Sequence, residues 1–452
     1  MSLTKVEHLI EQRKEQYLQQ LFTLLKQKSI STMNIGIREC AELLKDMMEE
    51  CGIHVRLIET AGYPVVYGEI MREENDFTVL IYGHYDVQPP DPIEEWLSPP
   101  FEPTIRDGRI YCRGVGDNKG QLMAQVLAIK TYLDSYGELP VNVKMVFEGE
   151  EESGSMNLSS FVTDNKELLA CDLVYTSDGP MHSSGTPSVE LGVRGILGVE
   201  LVAHGAKWDN HSGNMGNIAP NPAWKLIDLL RTMRDEQGRV LIEGFYDQIR
   251  EPSAFEIELF RKLPFDREEM IRQVGYPDLE ADAETFYRLL AMEPTFNICG
   301  FHSGYGGEGS KTIIPAKASV KMDIRLVVDQ EPDDIFEKFC AHVKKHAPDI
   351  EVIHQGDMKP SRTPADLEIV KVVVQAVLDA YSQEPLLVPG VGGSLPDYVW
   401  TQILGVPSVM VPYANADEAN HAPNENMVVD LFYKGIACTC HVIHRLGEFS
   451  KL

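Results

Sequence analysis

Apolar residues follow two patterns in the first part of the chain. Short runs rich in β-branched and aromatic residues predict buried strands, and longer stretches with apolar residues three or four apart predict helices. Helix and strand patterns alternate, which is typical of a mostly parallel sheet covered by helices. The predicted strands are residues 53–58, 65–70, 79–82, 141–147 and 173–176, and the predicted helices are residues 1–27, 38–51 and 121–135.

The pattern changes near Val189. Strand, helix, strand, strand, helix and strand patterns then follow one another, which describes a compact α+β unit of its own. We therefore expect an inserted second domain at residues 190–358, between two parts of one α/β catalytic domain at residues 1–189 and 359–452. The first pattern resumes in the last part, with helices near residues 366–381, 397–403 and 431–446 and a strand at residues 406–411. No order of elements is predicted for the acidic and aromatic residues 238–295.

The formal net charge is −28, from 41 basic and 69 acidic residues, which disfavours binding to nucleic acid or an anionic membrane and suits a cation site. No apolar run approaches the length of a membrane span, and charges interrupt the N-terminal helix, so a signal peptide is not expected. The eight cysteines are scattered without a CxxC pair, which indicates a reducing, cytoplasmic setting. A length of 452 residues favours two domains over one core.

Ionisable side chains lie where several of these elements end. The strand at residues 79–82 runs into Gly83, and His84 and Asp86 follow two residues apart, so both side chains emerge on one side of the chain. Open α/β sheets bind their ligands at the carboxyl ends of strands. A histidine beside a carboxylate suggests a metal ligand held by a second residue. On its own, however, this pair is more simply a solvated loop histidine and its neighbour.

Acidic residues recur at later positions of the same kind. Asp117 lies among glycines directly before a predicted helix, where an aspartate is often only a helix cap. The acidic run at residues 148–152 ends a hydrophobic strand, and its carboxylates repel one another unless a cation or a solvated surface relieves them. Asp178 ends a third buried strand, and His421 lies in a polar loop after another apolar strand.

These positions give five candidate metal ligands. Five ligands for two cations require one shared ligand, and a carboxylate can bridge two metal ions, which in such sites lie about 3.5–4 Å apart. Imidazole with carboxylate suits zinc, and also manganese or cobalt. Glu151, next to a candidate ligand, is the candidate general base. The five are His84, Asp117, Glu152, Asp178 and His421.

Five motifs in this order together resemble the carnosinase and cytosolic non-specific dipeptidase family of co-catalytic metallopeptidases. They are GHYDV, GVGDNKG, EGEEESGS, SDGP and AxxxNHAPNE. The similarity covers nearly the whole chain, and the catalytic core also resembles aminoacylase and bacterial glutamate carboxypeptidases. It implies two divalent metal ions per subunit, with zinc favoured, and an inserted α+β lid and dimerisation domain. It further implies a small peptide substrate, with no nucleic-acid or membrane partner.

The resemblance also implies a ligand arrangement. His84 and Asp178 would hold one metal ion, and Glu152 and His421 would hold the other. Asp117 would bridge the two ions. Three adjacent glutamates leave the register of the glutamate ligand open by one position, and only the likeness of EESGS to the family motif assigns it to Glu152.

Other roles follow from the same resemblance. Asp86 would orient His84, and Glu151 would act as general base on a metal-bridging hydroxide. The peptide bond from Asp117 to Asn118 is expected to be cis. The family often has two acids at these two positions, and the asparagine here should not remove a ligand.

Three more residues resemble groups that contact the substrate. His211, in DNHSG, resembles a lid histidine that reaches the active site of a neighbouring subunit and supports the oxyanion. Arg325, in DIRLV, and Ser394, in GGSLP, resemble groups that bind a substrate carboxylate, and an arginine fork matches a carboxylate. The alternatives to these roles are that His211 is an exposed turn residue and that Arg325 is a surface charge on a strand.

The resulting expectation is a metal-dependent dipeptidase, working as a homodimer, that hydrolyses dipeptide-like substrates with a free C-terminal carboxylate. An N-acyl amino acid deacylase or desuccinylase with the same two metals is the alternative, although DNHSG and the long lid favour the dipeptidase. A binding protein built on an inactivated scaffold is a third possibility. It is less favoured because every ligand and the base are present.

Overall fold

The structure, a computed structural model, describes residues 3–279 and 281–450 and has the α/β architecture expected from the sequence. Its strands, numbered in chain order, are β1 His54–Ile58, β2 Val65–Ile70, β3 Thr78–His84, β4 Thr104–Arg106, β5 Arg109–Tyr111, β6 Asn142–Glu148, β7 Leu173–Thr176, β8 Ser188–Glu190, β9 Gly192–Val193, β10 Gly195–His204, β11 Asn210–His211, β12 Asn297–Ser303, β13 Ile313–Ile314, β14 Lys317–Leu326, β15 Glu351–Met358, β16 Ser361–Arg362, β17 Leu386–Val388, β18 Ser408–Met410 and β19 Asn426–Val428.

The α-helices are α1 Thr4–Lys26, α2 Ile37–Glu50, α3 Lys119–Tyr136, α4 Leu158–Asp164, α5 Lys166–Leu169, α6 Ser212–Met215, α7 Pro222–Met233, α8 Ala254–Lys262, α9 Arg267–Val274, α10 Ala283–Met292, α11 Pro332–His346, α12 Glu368–Tyr381 and α13 Val429–Phe449. Short 3-10 helices span Ser31–Met33, Ile93–Glu95 and Glu151–Ser153, and a π-helix spans Val399–Leu404. No helix within residues 3–279 and 281–450 is long and apolar enough to cross a membrane.

The large sheet contains eight strands in the order β1-β2-β6-β3-β7-β18-β8-β17. The pairs β6–β3, β3–β7, β7–β18 and β8–β17 are parallel, and the remaining pairs are antiparallel. Val79 and Ile81 of β3 pack into the core that α1, α3, α12 and α13 form on one face. Leu80 and Tyr82 pack on the other face against Trp400 of the π-helix. This confirms the predicted mostly parallel mixed sheet flanked by helices.

A second, antiparallel sheet has the order β12-β14-β10-β15. Leu197, Val199 and Leu201 of β10 alternate onto one face, where they pack with the apolar sides of α7 and α11. The other face is open, and the edge strand β12 exposes Ile298 and Phe301. The order β10, α7, β12, β14, α11 and β15 agrees with the α+β unit expected from the sequence, and its boundaries at residues 190 and 358 stay a prediction.

Several local expectations differ from the structure. The helix predicted at residues 397–403 is a π-helix, and strand β3 continues to His84, so this histidine is the last strand residue rather than the first loop residue. Strands β8 and β17 were not predicted, because three residues are too few to show a period. Residues 238–295 contain α8, α9 and α10, and Phe260 and Met292 of this segment pack against Val388 of β17.

Candidate metal centre and active site

Ionisable side chains gather at the carboxyl ends of the parallel strands of the large sheet. His84 ends β3, Asp178 follows β7, and the 3-10 turn after β6 carries Glu151 and Glu152. Asp117 lies just before α3. Because β6, β3 and β7 are adjacent and parallel, their carboxyl ends meet at one edge of the sheet, where open α/β folds bind ligands.

Asp117 belongs to two groups of possible metal-ligand atoms. His84, Asp117 and Asp178 form the first group, and Asp117 with Glu152 and His421 forms the second. Within each group the ligand atoms lie within 4.8 Å of one another. His84 Nε2 is 3.1 Å from Asp117 Oδ1, and His421 Nε2 is 3.0 Å from Asp117 Oδ2. The structure therefore brings all five predicted ligands together around one shared carboxylate.

The remaining contacts complete each group. His84 Nε2 lies 3.6 Å from Asp178 Oδ2, and His421 Nε2 lies 3.1 Å from Glu152 Oε2. On its other side, His84 Nδ1 lies 3.1 Å from the backbone oxygen of Asp86 and 3.3 Å from its carboxylate. Histidine ligands of metal ions usually direct one ring nitrogen at the metal site and hydrogen-bond through the other nitrogen to a carboxylate or a backbone carbonyl. His84 has this arrangement.

Asp86, which is fully buried, also makes contacts that were not predicted. Its two carboxylate oxygens accept hydrogen bonds from the backbone N–H groups of Glu151 at 3.2 Å and Glu152 at 3.1 Å. Gln88 donates from its side chain to Glu152 Oε2 at 2.9 Å. The segment after His84 therefore fixes both this histidine and the glutamate turn. Gln88 follows Asp86 by two residues, and residues two apart on an extended chain point to the same side. This spacing could have identified Gln88 from the sequence.

Glu425 is a buried residue of the AxxxNHAPNE motif to which no role was assigned from the sequence. Its Oε1 accepts hydrogen bonds from the backbone N–H groups of Gly116 at 2.9 Å and Asp117 at 3.1 Å. Its Oε2 forms an ion pair with Arg113 at 2.7 Å, and both side chains are buried. Because Glu425 follows His421 by four residues, it ties the loop of this histidine to the loop of Asp117.

The loop of Asp117 is also tied to the large sheet. The peptide bond from Asp117 to Asn118 is cis, which confirms the expectation from the sequence. The side chain of Asn118 donates to the backbone oxygen of Ser177 at 2.6 Å, and its Oδ1 accepts from the backbone N–H of His84 at 3.4 Å. The asparagine therefore connects the ends of β3 and β7 instead of acting as an additional ligand.

The charges at this centre shift the pKa values of its members. Burial raises the pKa of Asp178 to about 7, and the charge of Asp117 adds to this rise while His84 opposes it. Hydrogen bonds to Asp117 and Glu152 raise the pKa of His421 to about 10. The buried Oδ2 of Asp178 has no hydrogen-bond partner among the described residues. A divalent cation fits this donor set, since it would pair with that oxygen and replace the ring protons.

Glu151 lies beside both groups without belonging to either. Its Oε2 is 3.9 Å from His84 Nε2, and burial raises the pKa of Glu151 well above the ordinary value. It lines a cavity of about 460 Å³ together with Asp117, Asp178 and His421. A carboxylate with raised proton affinity that faces a cavity is suited to accept a proton there. Other residues that line the same cavity include Val193, Val391, Ser394, Leu395 and Met410.

The three predicted substrate-contacting residues divide into two cases. Arg325, on β14 of the antiparallel sheet, donates from Nη1 to Ser394 Oγ at 2.6 Å, and Ser394 lines the cavity. His211, on β11, is exposed, and its Nδ1 accepts a hydrogen bond from the backbone N–H of Gly213 at 3.0 Å. It is not among the described residues that line this cavity. The structure therefore brings Arg325 and Ser394 together and leaves His211 outside the cavity of its own chain.

An α/β sheet whose strand ends bring two groups of possible metal-ligand atoms around one carboxylate, beside a further buried glutamate, is typical of hydrolases that use two metal ions. Comparison with known families agrees with this class. The model of peptidase family M20/M25/M40 matches residues 80–445, and the chain belongs to this family of metallopeptidases.

Similar proteins cover nearly the full chain. The solved structure of an M20 family metallo-carboxypeptidase from Sulfolobus solfataricus is 40% identical, with a TM-score of 0.90 over 96% of this chain and 99% of that one. A Cys-Gly metallodipeptidase of Schizosaccharomyces pombe is 28% identical over 100% of this chain and 99% of its own length. The human Beta-Ala-His dipeptidase is 28% identical over 80% of this chain and 74% of its own length.

Proposed function

We propose that this protein is a metal-dependent dipeptidase that hydrolyses the peptide bond of dipeptide-like substrates with a free C-terminal carboxylate. The observation that carries the proposal is the position of Asp117, shared between two groups of imidazole and carboxylate donors, with Glu151 beside them in the cavity wall. Relatives named Cys-Gly metallodipeptidase and Beta-Ala-His dipeptidase, which align with most of the chain, support it.

Two divalent ions fit the donor set. We assign His84 and Asp178 to one ion and Glu152 and His421 to the other, with Asp117 shared by both. Imidazole and carboxylate donors suit zinc, which we favour, and also manganese or cobalt. Bound ions of this kind polarise a scissile carbonyl and lower the pKa of water.

Glu151 acts as the general base in this proposal. Its carboxylate takes a proton from the attacking water as the new bond from oxygen to the carbonyl carbon forms. It then passes this proton to the leaving amine nitrogen as the C–N bond breaks. Asp86 keeps the base in position, since its carboxylate accepts a hydrogen bond from the backbone N–H of Glu151.

Arg325 and Ser394 bind the C-terminal carboxylate of the substrate. The guanidinium of Arg325 donates one hydrogen bond to the Ser394 hydroxyl, and its remaining donors suit a planar carboxylate. Ser394 lies in the wall of the cavity that Glu151 also lines. The volume of about 460 Å³ is within the usual range for sites that bind small molecules, which supports a short peptide as the substrate.

The proposed working unit is a homodimer in the cytoplasm. His211 of one subunit would enter the cavity of the other and stabilise the oxyanion, which fits its exposure and its position outside its own cavity. Trp208, Ile298 and Phe301 expose apolar surface on the same α+β unit, and such surface often marks an interface between proteins. All eight cysteines lie within the described residues and carry free thiols, as in a reducing compartment.

A carboxypeptidase is the second candidate, because the solved structure that is 40% identical is named a metallo-carboxypeptidase. Both reactions use a free C-terminal carboxylate at Arg325 and Ser394. They differ in what lies on the other side of the scissile bond: a free amino group in a dipeptide, and further residues in a longer peptide. An N-acyl amino acid deacylase, the alternative from the sequence, would accept an acyl group in the same place.

A matched substrate panel separates these candidates. The purified chain, loaded in turn with Zn²⁺, Mn²⁺ or Co²⁺, would be given Cys-Gly, β-Ala-His, a tripeptide and an N-acetyl amino acid. We expect the dipeptides to be cleaved fastest, with activity lost on chelation and restored by metal. Faster release of the C-terminal residue from the tripeptide would favour the carboxypeptidase. Faster release of acetate would favour the deacylase, and either result would overturn the proposed dipeptidase.

A further inference from the structure

Glu190 is a buried acid that the proposed reaction does not use. It is the last residue of β8, is 8% exposed, and lines the large cavity together with Glu151 and Asp178. Its Oε1 accepts a hydrogen bond from Ser188 Oγ at 2.9 Å. Within the described part of the chain its carboxylate has no cationic partner, and the charge that acts on it is that of another acid, Asp178.

Glu190 also lines a small annex of about 20 Å³ beside the large cavity. Glu190, Val193, Leu395 and Met410 border both spaces, so the annex adjoins the cavity wall. Thr176 lines the annex from the other side, and its buried Oγ1 has no hydrogen-bond partner among the described residues. A space of this size holds one group about as large as a water molecule.

The register of the large sheet places Thr176 and Glu190 on the same face. Met410 of β18 pairs with Thr176 of β7 and with Glu190 of β8. Neighbouring strands are about 4.8 Å apart, so the two side chains lie on either side of Met410 at a backbone spacing of about 10 Å. Asp178 follows Thr176 by two residues. The side chains of Thr176, Met410 and Glu190 therefore lie next to the proposed metal centre.

The ionised form of Glu190 lacks a stabilising cationic partner among the residues that the structure describes. Burial raises the pKa of Glu190 to about 7, with a further rise from Asp178, so ionisation of this side chain is disfavoured. A hydrogen bond from the Ser188 hydroxyl is a small compensation, because a buried charge is unfavourable unless it is paired and hydrogen-bonded. A cationic group of a ligand would provide that partner, and Thr176 Oγ1 would provide a second hydrogen-bond acceptor.

We propose that Glu190, with Thr176, binds the free amino group of the substrate, an inference that rests on the proposed dipeptidase function. A primary ammonium is about the size of a water molecule and has three N–H donors. In a dipeptide it lies within one or two carbons of the scissile carbonyl, while the carboxylate at the other end binds Arg325 and Ser394. An N-acylated or longer substrate has an amide in place of the ammonium and leaves Glu190 unpaired, so this residue selects dipeptides.

The test compares two substrates that differ only in the amino group. Ala-Ala and propionyl-Ala have the same skeleton, and propionyl-Ala carries hydrogen where Ala-Ala carries the ammonium. We expect Glu190→Gln to lower kcat/KM for Ala-Ala roughly ten- to hundredfold and to leave kcat/KM for propionyl-Ala within about twofold. Glu190→Asp, which keeps the charge, should restore part of the preference. Thr176→Val should reduce the preference in the same direction by a smaller factor.

Each outcome has a defined meaning. An equal loss on both substrates would mean that Glu190 acts through the metal centre or the fold, and an unchanged preference would mean that the amino group binds elsewhere. Either result overturns the inference alone. If the wild-type enzyme does not cleave Ala-Ala or any other dipeptide, the proposed function fails and the inference fails with it. Should Glu190→Gln not fold, Glu190→Asp and Thr176→Val decide the inference on the same ratio of kcat/KM values.

Discussion

The two main sheets of this molecule place their ionisable residues differently. The central strands of the large sheet are buried on both faces, and their ionisable residues lie at the strand ends, such as His84 at the end of β3 and Asp178 after β7. The antiparallel sheet has one face on helices and one open face. Its charged residues therefore lie along the strands, as Lys321, Asp323 and Arg325 do on β14.

This difference determines what each sheet can contribute to a site. Side chains that meet at the strand ends of a buried sheet are held from several sides. Asp117, from the loop before α3, contacts His84 and His421, and its backbone N–H donates a hydrogen bond to Glu425. Such fixed geometry suits metal ligands and a catalytic base. Arg325 lies on a partly open face and keeps donors available for a ligand. Changes at the strand ends should therefore reduce turnover and metal binding, and changes on the open face should mainly alter KM.

The largest effect is expected from Glu151→Gln. The amide keeps the shape of the side chain and cannot accept a proton, so kcat should fall by about 10²- to 10⁴-fold while the metal content stays the same. Steady-state kinetics and metal analysis of the same preparation would measure both. Glu150→Gln is the matched control, because Glu150 binds Asn157 instead of the metal centre and should keep nearly full activity. Full activity in Glu151→Gln would exclude this glutamate as the base.

A smaller effect at the same strand end is expected from Asp86→Asn. The asparagine has only one acceptor oxygen for the N–H groups that Glu151 and Glu152 now donate to two carboxylate oxygens, so the glutamate turn should loosen. Metal affinity or activity should fall roughly 10- to 100-fold, as is typical for residues that position ligands. Competition with a chelator would measure the affinity. The exposed Glu94→Gln should have no effect, and unchanged affinity in Asp86→Asn would show that packing alone fixes the turn.

The comparison of the sheets also explains which features could be predicted from the sequence. Long buried strands such as β3 and β6 have continuous apolar runs, and the histidine or acids that end them stand out against those runs. His84, Asp178 and the acidic run that contains Glu152 could be found in this way, and counting ligands indicated only that one ligand is shared. The resemblance assigned that shared position to Asp117. The resemblance then supplied roles that spacing alone left open, including the choice of Glu152 among three adjacent glutamates.

Other parts of the site gave no local signal. Glu190 ends a three-residue strand, and its importance depends on Met410, a residue more than two hundred positions away that pairs with it in the sheet. Glu425 lies in the motif AxxxNHAPNE. Its hydrogen bonds from Gly116 and Asp117, however, depend on how two loops that are far apart in the sequence meet in the fold. Tertiary pairing of this kind has no period in the sequence, so composition and spacing could not predict it.

On the open face of the antiparallel sheet, Arg325→Ala should mainly raise KM. Removing a charged donor to the substrate carboxylate costs about 1.5–3 kcal/mol, which corresponds to roughly ten- to a hundredfold in kcat/KM. The value of kcat should change much less, because the proposed base and metal ligands lie at the strand ends of the other sheet and in the loops beside them. Lys321→Ala, an exposed change on the same strand, is the control and should leave both constants unchanged. A loss confined to kcat would place Arg325 with the catalytic groups. The assignment of turnover to the large sheet and of substrate binding to the antiparallel sheet would then be wrong.

The last effect is a dependence of metal binding on pH that only the proposed metal centre should show. Without metal, hydrogen bonds to Asp117 and Glu152 raise the pKa of His421 to about 10, so its ring carries a proton at pH 7. A metal ion binds the neutral ring and must displace that proton, so the apparent affinity should rise by up to about tenfold per pH unit between pH 7 and pH 9. An ordinary histidine, with a pKa near 6.5, would give little rise above pH 7. Calorimetric titration with Mn²⁺ in two buffers of different ionisation heat would report the protons released. An affinity that is flat from pH 7 to pH 9 would mean that the ring is already neutral there, and that the carboxylates around it hold no proton for the metal to displace.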